Sequence, residues 1–273
     1  MSKKDMSHRR RKRAPLRWTR ASGAAAADDS PAGVAGKSVV INGGTTGIGF
    51  ATAKRLAAQG ARVLLFARDR AEVDDAVERA AATGGEVYGV AADVTRPREV
   101  IRAFKEADKR FGGRLDILIN NAATSGHALL ESDYDAWRKT LDTNLLGYLH
   151  CAREALDRMR PRKDGHVLMI GSMSADLREP TNDIYTATKA AVQALCEALR
   201  KNVNRDGVRI TLIEPGAVDT PLQGKSRARK DRKKRAMEML EPDDIAACIV
   251  FALSQPKRVD VVQMQVRPLK QLI

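Results

Sequence analysis

From residue 38 onward the sequence alternates short apolar runs with longer amphipathic ones, and no other feature narrows the possible folds as much. The short runs cover residues 39–42, 62–67, 86–91, 115–120, 166–171, 209–214 and 261–267. Runs of that length read as strands, and the amphipathic stretches between them read as helices. Strand and crossover helix in succession is the pattern of a parallel sheet covered by helices on both faces. One doubly wound α/β domain around a seven-stranded parallel sheet is therefore expected, with ligands at the carboxyl ends of the strands. The 273 residues suffice for one large core and are few for two.

Residues 1–35 stand apart. They show no hydrophobic periodicity, and nine of the first twenty residues are Lys or Arg against the single acid Asp5. Such a composition buries too little apolar area to offset the cost of ordering, so a disordered basic tail is expected, with the domain spanning 36–273. A second basic run, 225–235, holds eight Lys and Arg against Asp231 alone, and the formal net charge is +14. Cys151, Cys196 and Cys248 lie far apart, each in a helical stretch, and read as core residues in a reducing compartment. His8, His127, His150 and His166 are also scattered, so no metal is expected. No apolar stretch nears the roughly eighteen residues of a membrane span, and no signal-peptide core follows the basic start. A cytoplasmic protein is the simplest expectation; an Arg-rich organellar leader has a similar composition and stays open.

The first apolar run leads directly into Asn42-Gly43-Gly44-Thr45-Thr46-Gly47-Ile48-Gly49 and then a helical stretch. Glycines between a strand and a helix let the backbone turn tightly, approach a pyrophosphate and aim the helix N-terminus at it. Much later, Tyr185 and Lys189 sit four apart on a helical stretch, which stacks phenol and ammonium on one face. A tyrosine with its ordinary pKa of about 10 is a poor base near neutrality, and a neighbouring cation stabilises its phenolate. Ser172, thirteen residues upstream of Tyr185, ends an apolar run and would present a hydroxyl near the same helix. Alone, a Tyr–Lys pair is usually an ordinary helix surface; beside a dinucleotide loop it becomes a candidate reaction centre.

Taken in order, Gly43, Gly47 and Gly49, Asp93, Asn120-Asn121-Ala122-Ala123, Asn144, Ser172, Tyr185-x3-Lys189 and Pro215-Gly216-x-Val218-x-Thr220 resemble the short-chain dehydrogenase/reductase family. The similarity runs from about residue 36 to the C-terminus. It implies a Rossmann domain and hydride transfer between a nicotinamide and a carbonyl or secondary alcohol of a small molecule. It implies that Tyr185 exchanges the proton, that Ser172 hydrogen-bonds the reacting oxygen, and that Lys189 lowers the tyrosine pKa and binds the nicotinamide ribose. Asn144, through a helix irregularity and a water, would link Lys189 to solvent. The implied cofactor shell is Gly43, Thr45, Thr46, Gly47, Ile48, Gly49, Arg68, Asp93, Val94, Asn120, Ala122, Pro215, Gly216, Val218 and Thr220, with Tyr185 and Lys189. Met173, Ser174, Ile184, His127 and Pro180 would border the substrate with Ser172. Asn42 stands where a threonine is common, and Ala123 where a glycine is common. Relatives pair their long helices, so a homodimer or homotetramer is implied through residues 132–159 and 185–206.

Cofactor choice rests on the end of the second strand, where a carboxylate would accept from a ribose 2′-hydroxyl and repel a 2′-phosphate. That position is the neutral Ala67, and the adjacent Arg68 carries a guanidinium suited to phosphate, so NADP(H) is expected and NAD(H) is accommodated. A two-residue slip would bring Asp69 to the same place, which leaves the alternative open. The 225–235 run lies where relatives carry a segment over the substrate. Its plain reading is a solvated helix face; its sharper one is attraction of an anionic substrate such as a hydroxy or oxo acid. Two other classes stand beside the enzyme: a cofactor-binding regulator or scaffold without turnover, and a nonspecific binder of nucleic acid or acidic surfaces through the basic tail. The intact Ser172, Tyr185 and Lys189 set argues against the first.

Overall fold

The computed structural model describes residues 33–271 apart from 127, 179–181 and 225. Residues 1–32 of the tail expected over 1–35, together with His127 and Pro180, thus lie outside the described residues. Val34 is buried and packs into the core, so the domain begins before the boundary expected at residue 36.

Seven strands form one parallel sheet: β1 (Ser38–Asn42), β2 (Arg62–Ala67), β3 (Glu86–Ala91), β4 (Ile117–Asn120), β5 (Gly165–Ile170), β6 (Val208–Pro215) and β7 (Gln263–Val266). Their spatial order is β3-β2-β1-β4-β5-β6-β7. Every expected strand is present, with bounds shifted by two residues at most. The helices are α1 (Gly47–Ala58), α2 (Arg70–Ala81), α3 (Pro97–Phe111), α4 (Tyr134–Leu141), α5 (Gly147–Met159), α6 (Ser174–Leu177), α7 (Asp183–Val203), α8 (Arg227–Arg235) and α9 (Pro242–Leu253). Local sequence sets several of these ends. The Asp69 carboxylate caps α2 by accepting from the Glu72 N–H, and Gly112 closes α3 in the left-handed region with φ +64°. The long helix expected over 132–159 is α4 and α5 joined by one π turn, Asp142–Leu146.

Alternate strand residues go to opposite faces of the sheet. Val40, Leu64, Leu118 and Val167 pack with Phe104 of α3, Tyr148 and Cys151 of α5 and Val192 of α7. Val39, Val63, Ile119 and Leu168 pack with Leu56 of α1, Val73 of α2 and Ile249 of α9. Burial on both faces explains why these strands read as continuous apolar runs. Each such side chain contributes about 1.5–3 kcal/mol on burial.

The chain builds outward from β1 to β3, then returns to lay β4 on the other side of β1. Loops leave the carboxyl ends of β1 and β4 in opposite directions, and the crevice between them is where doubly wound sheets hold ligands. Asn42 and Asn120 are register partners at that point.

Candidate active site

The loop after β1 leaves no room for side chains at its glycines. Gly47 has φ +53° and a Cβ there would stand 3.0 Å from Cγ2 of Thr220, while a Cβ on Gly49 would come within 2.2 Å of the Gly43 oxygen. Thr46 precedes α1 without a side-chain cap, and no acid occupies the first turn. The N–H groups at Gly47, Ile48 and Gly49 therefore lack the usual capping partner, and the helix dipole adds positive potential. These residues fit the pyrophosphate of a dinucleotide.

The other expected cofactor residues lie past the ends of neighbouring strands. Arg68 is exposed after β2, and the Asp69 carboxylate beside it is engaged 3.0 Å from the Glu72 N–H. After β3, Asp93 accepts from the N–H and hydroxyl of Thr95 at 2.9 and 2.8 Å, and Val94 packs over Gly147, where a Cβ would lie 3.0 Å away. Thr45 is buried against Glu72, with its hydroxyl 3.4 Å from Oε2. Pro215, Gly216, Val218 and Thr220 form the turn after β6, and Val218 is buried.

Asn42 holds the two central loops together. Its amide donates to Oδ1 of Asn120, and its own Oδ1 accepts from the N–H groups of Asn121 and Ala122, both at 2.7 Å. Asn121 returns a hydrogen bond to the Gly43 oxygen at 2.8 Å, and Asn120 donates to the Tyr148 oxygen at 3.0 Å. The departure from threonine at position 42 thus supplies an amide that bridges both loops.

Ser172, Tyr185 and Lys189 come together beside this crevice. Ser172, just past β5, donates to Oγ of Ser174 and accepts from its N–H, each at 3.1 Å. Tyr185 lies in the first turn of α7. Burial raises its pKa above the ordinary value, and a hydrogen bond with Ser172 acts in the opposite direction. Lys189, one turn on, is 1% exposed, and its Nζ donates to the Ile170 oxygen at 2.8 Å. That ammonium is 5.1 Å from the Tyr148 ring centroid and 5.7 Å from that of Tyr185. Burial lowers the Lys189 pKa to about 7. In this arrangement burial is the larger influence on the phenol, and the ammonium bonds a main-chain oxygen. Met173 is buried and Ile184 half-buried, and Gly126 backs Tyr185, with a Cβ there 3.6 Å from that of the tyrosine.

Asn144 occupies the π turn and is fully buried, which excludes a helix-surface amide. Its Oδ1 accepts from the Thr124 N–H at 2.8 Å, and its Nδ2 donates to the Thr124 oxygen at 2.9 Å and to Oγ1 of Thr188 at 3.2 Å. Thr188 in turn donates to the Tyr185 oxygen at 2.7 Å. The side chain thus ties the loop after β4 to the turn of α7 that carries Tyr185, and π bulges are enriched at functional sites. Asn42, Tyr148 and Thr188 were not signalled as site residues by the sequence. Asn42 had a clue in standing where a threonine is common, and Tyr148 in being four residues beyond Asn144.

The 225–235 run is not a uniformly solvated face. In α8, Lys230 and Lys234 turn inward to the Asp219 carboxylate at 3.3 and 2.9 Å, while Arg229, Arg232 and Arg235 remain exposed. Among the described residues no group of three or more His, Cys, Asp or Glu could hold a metal ion, and no helix is long and apolar enough to cross a membrane.

A doubly wound sheet with a glycine cradle at its switch point defines the class: an oxidoreductase built on a dinucleotide-binding fold. The chain belongs to the short chain dehydrogenase family, which it matches over residues 37–231. It is 35% identical over 234 residues to an uncharacterised oxidoreductase of Staphylococcus saprophyticus, covering 85% of this chain and 97% of that protein. An alcohol dehydrogenase from the archaeon Thermococcus sibiricus, solved with 5-hydroxy-NADP, is similar with a TM-score of 0.79 at 29% identity, over 87% of this chain and 98% of that one. A 3-ketoacyl-(acyl-carrier-protein) reductase from Brucella melitensis, solved with NADH, gives 0.78 at 25%, over 88% and 100%. The protein is a dehydrogenase/reductase acting on CH–OH or C=O groups.

Proposed function

We propose that the protein transfers a hydride between NADP(H) and the carbonyl or secondary alcohol of a small hydroxy or oxo acid. The observation that carries this reading is the meeting of Ser172, Tyr185 and buried Lys189 beside an uncapped α1 N-terminus. The bound nicotinamide supplies or accepts the hydride. Tyr185 donates the proton to the developing alkoxide in reduction, and Ser172 hydrogen-bonds the same oxygen. Lys189 binds ribose hydroxyls, and Asn144 lies on the path by which its proton is resupplied. Met173, Ser174 and Ile184 border the substrate. The preference for NADP(H) is supported by the exposed guanidinium of Arg68 next to neutral Ala67, and by the engagement of Asp69 in a helix cap. NAD(H) is accommodated, and one similar protein was solved with NADH. An acid substrate is supported by the exposed cations of α8.

The reading includes a cytoplasmic protein whose basic tail makes at most nonspecific nucleic-acid contacts. It also includes two-fold self-association, supported by exposed Tyr134, Leu141, Leu146 and Leu149 along α4 and α5. Light scattering at micromolar concentration should show a dimer or tetramer, and a monomer would count against it. The central test is a turnover screen of oxo acids and neutral ketones with each nicotinamide cofactor. NADPH-dependent reduction favouring oxo acids is expected; equal rates on neutral ketones would remove the acid specificity.

A further inference from the structure

Helix α8, Arg227–Arg235, contains one apolar residue, Ala228, among eight charged ones, and its only buried residue is Lys230. Helices of globular proteins are ordinarily held by an apolar stripe at positions i, i+3 and i+7. In α8 that stripe is Arg227, Lys230 and Lys234, and all three side chains reach one carboxylate, Asp219, at 3.5, 3.3 and 2.9 Å. The cluster is sheltered: the side chains of Asp219, Lys230 and Lys234 are 7%, 11% and 15% exposed. Lys230 also donates to the main-chain oxygen of Thr220 at 2.7 Å, and Lys234 reaches Glu241 at 2.9 Å.

Asp219 belongs to the turn after β6, which is itself clamped. Its N–H donates to the Leu240 oxygen at 2.9 Å, and Leu240 donates back to the Ala217 oxygen at 2.9 Å. The next residue, Thr220, packs its side chain against Gly47 of the cofactor loop. Asp219, a carboxylate reached by three α8 side chains, therefore joins a helix lacking an apolar anchor to a turn that touches the glycine cradle, with the Lys230–Thr220 hydrogen bond beside it.

We propose that Asp219 is a positioning residue that latches α8 onto the turn at 217–220 and so sets the wall of the substrate cleft. The proposal rests on the reaction proposed above, with α8 bordering its substrate. The latch acts by charge: with Asp219 neutral, Lys230 has no carboxylate partner and Lys234 keeps only Asp231 and Glu241, so the sheltered face carries uncompensated positive charge and the helix loosens. The turn and the glycine cradle stay in place because main-chain bonds hold them.

The sites that trypsin cleaves in α8 include the latch lysines, so proteolysis reads the latch without any need for turnover. Asp219→Asn should speed cleavage within 227–235 by about tenfold or more, Asp219→Glu should return it to within about threefold of wild type, and the thermal midpoint should change little. Lys234→Met provides a second opening of the same latch and should also speed cleavage. Combined with Asp219→Asn it should add little beyond the larger single effect, as expected for two ends of one interaction. In turnover, Asp219→Asn should raise KM about tenfold while kcat stays within about threefold, because positioning rather than proton transfer is disturbed. Unchanged cleavage in both Asp219→Asn and Lys234→Met would overturn the latch. Faster cleavage with an unchanged KM would overturn its positioning role. A wild-type protein without reductase activity but with the stated cleavage pattern would leave the latch standing and remove the proposed reaction instead.

Discussion

Asn42 and Asn120, register partners at the ends of β1 and β4, are joined side chain to side chain across the crevice where the sheet changes direction. Because Asn42 also accepts from two main-chain N–H groups, Asn42→Ala would leave part-buried donors at Asn121 and Ala122 and the buried amide oxygen of Asn120 without this partner. An unsatisfied buried donor costs about 1–3 kcal/mol, so a loss of about 2 kcal/mol or more is expected in denaturant unfolding, with weakened cofactor binding. Asn42→Thr keeps an acceptor on a short side chain and should lose less. Equal stability of wild type and Asn42→Ala would show that the loops are held by other contacts.

The Tyr185 and Lys189 roles separate in binding and rate. Tyr185→Phe removes only the proton donor and should lower turnover by about 10²- to 10⁴-fold, with cofactor affinity nearly intact. Lys189→Ala should lower both, since the lysine is assigned to the ribose as well. Cofactor fluorescence titration and initial rates on the same preparations distinguish the two, and near wild-type reduction by Tyr185→Phe would remove it as the proton donor.

Cofactor preference is tested at the end of β2. Loss of the charge-assisted bond in Arg68→Ala should weaken NADP(H) binding by roughly ten- to a hundredfold, and adding Ala67→Asp should shift preference towards NAD(H). If wild type already binds NAD(H) more tightly, the guanidinium does not face a 2′-phosphate.

Acid stability should depend on His166. The imidazole is buried on β5, with Nε2 2.7 Å from Oγ1 of Thr211 and no hydrogen-bond partner at Nδ1. Thr211 gives its own proton to the Val261 oxygen at 2.6 Å, so Nε2 is the donor and Nδ1 the bare acceptor. Burial, reinforced by nearby Arg209, pushes the pKa down to about 3. A base depressed in the folded state leaves stability intact above its unfolded value of about 6.5, and stability falls as pH drops towards the folded value. Urea unfolding between pH 7 and 4 should therefore show a steeper loss in wild type than in His166→Gln. Parallel slopes would mean that another group governs acid unfolding.

The parts of this molecule that were legible in the sequence are those with short-range causes. The strand run 62–67 matches its structural bounds because a buried parallel strand must be apolar on both faces. Gly47 and Gly49 were legible because a side chain at either position meets backbone or a packed neighbour. The bridging by Asn42 was not, since its partners lie 78 to 80 residues away. Burial of Asn144 was hidden because a π turn rotates the helix face that a regular count assigns. The inward stripe of α8 was hidden too: seven cations look alike until the fold brings Asp219 beneath three of them.

The seat of the Lys189 ammonium has a genetic consequence. Its hydrogen-bond acceptor is the main-chain oxygen of Ile170, and every amino acid carries that atom. No codon change at position 170 deletes the acceptor, so inheritable loss of this contact must come through the lysine codon or through changes that displace the end of β5. A protein whose Lys189 codon is intact can therefore drift at position 170 among residues that keep the strand, without losing the oxygen that receives the proton-bearing nitrogen.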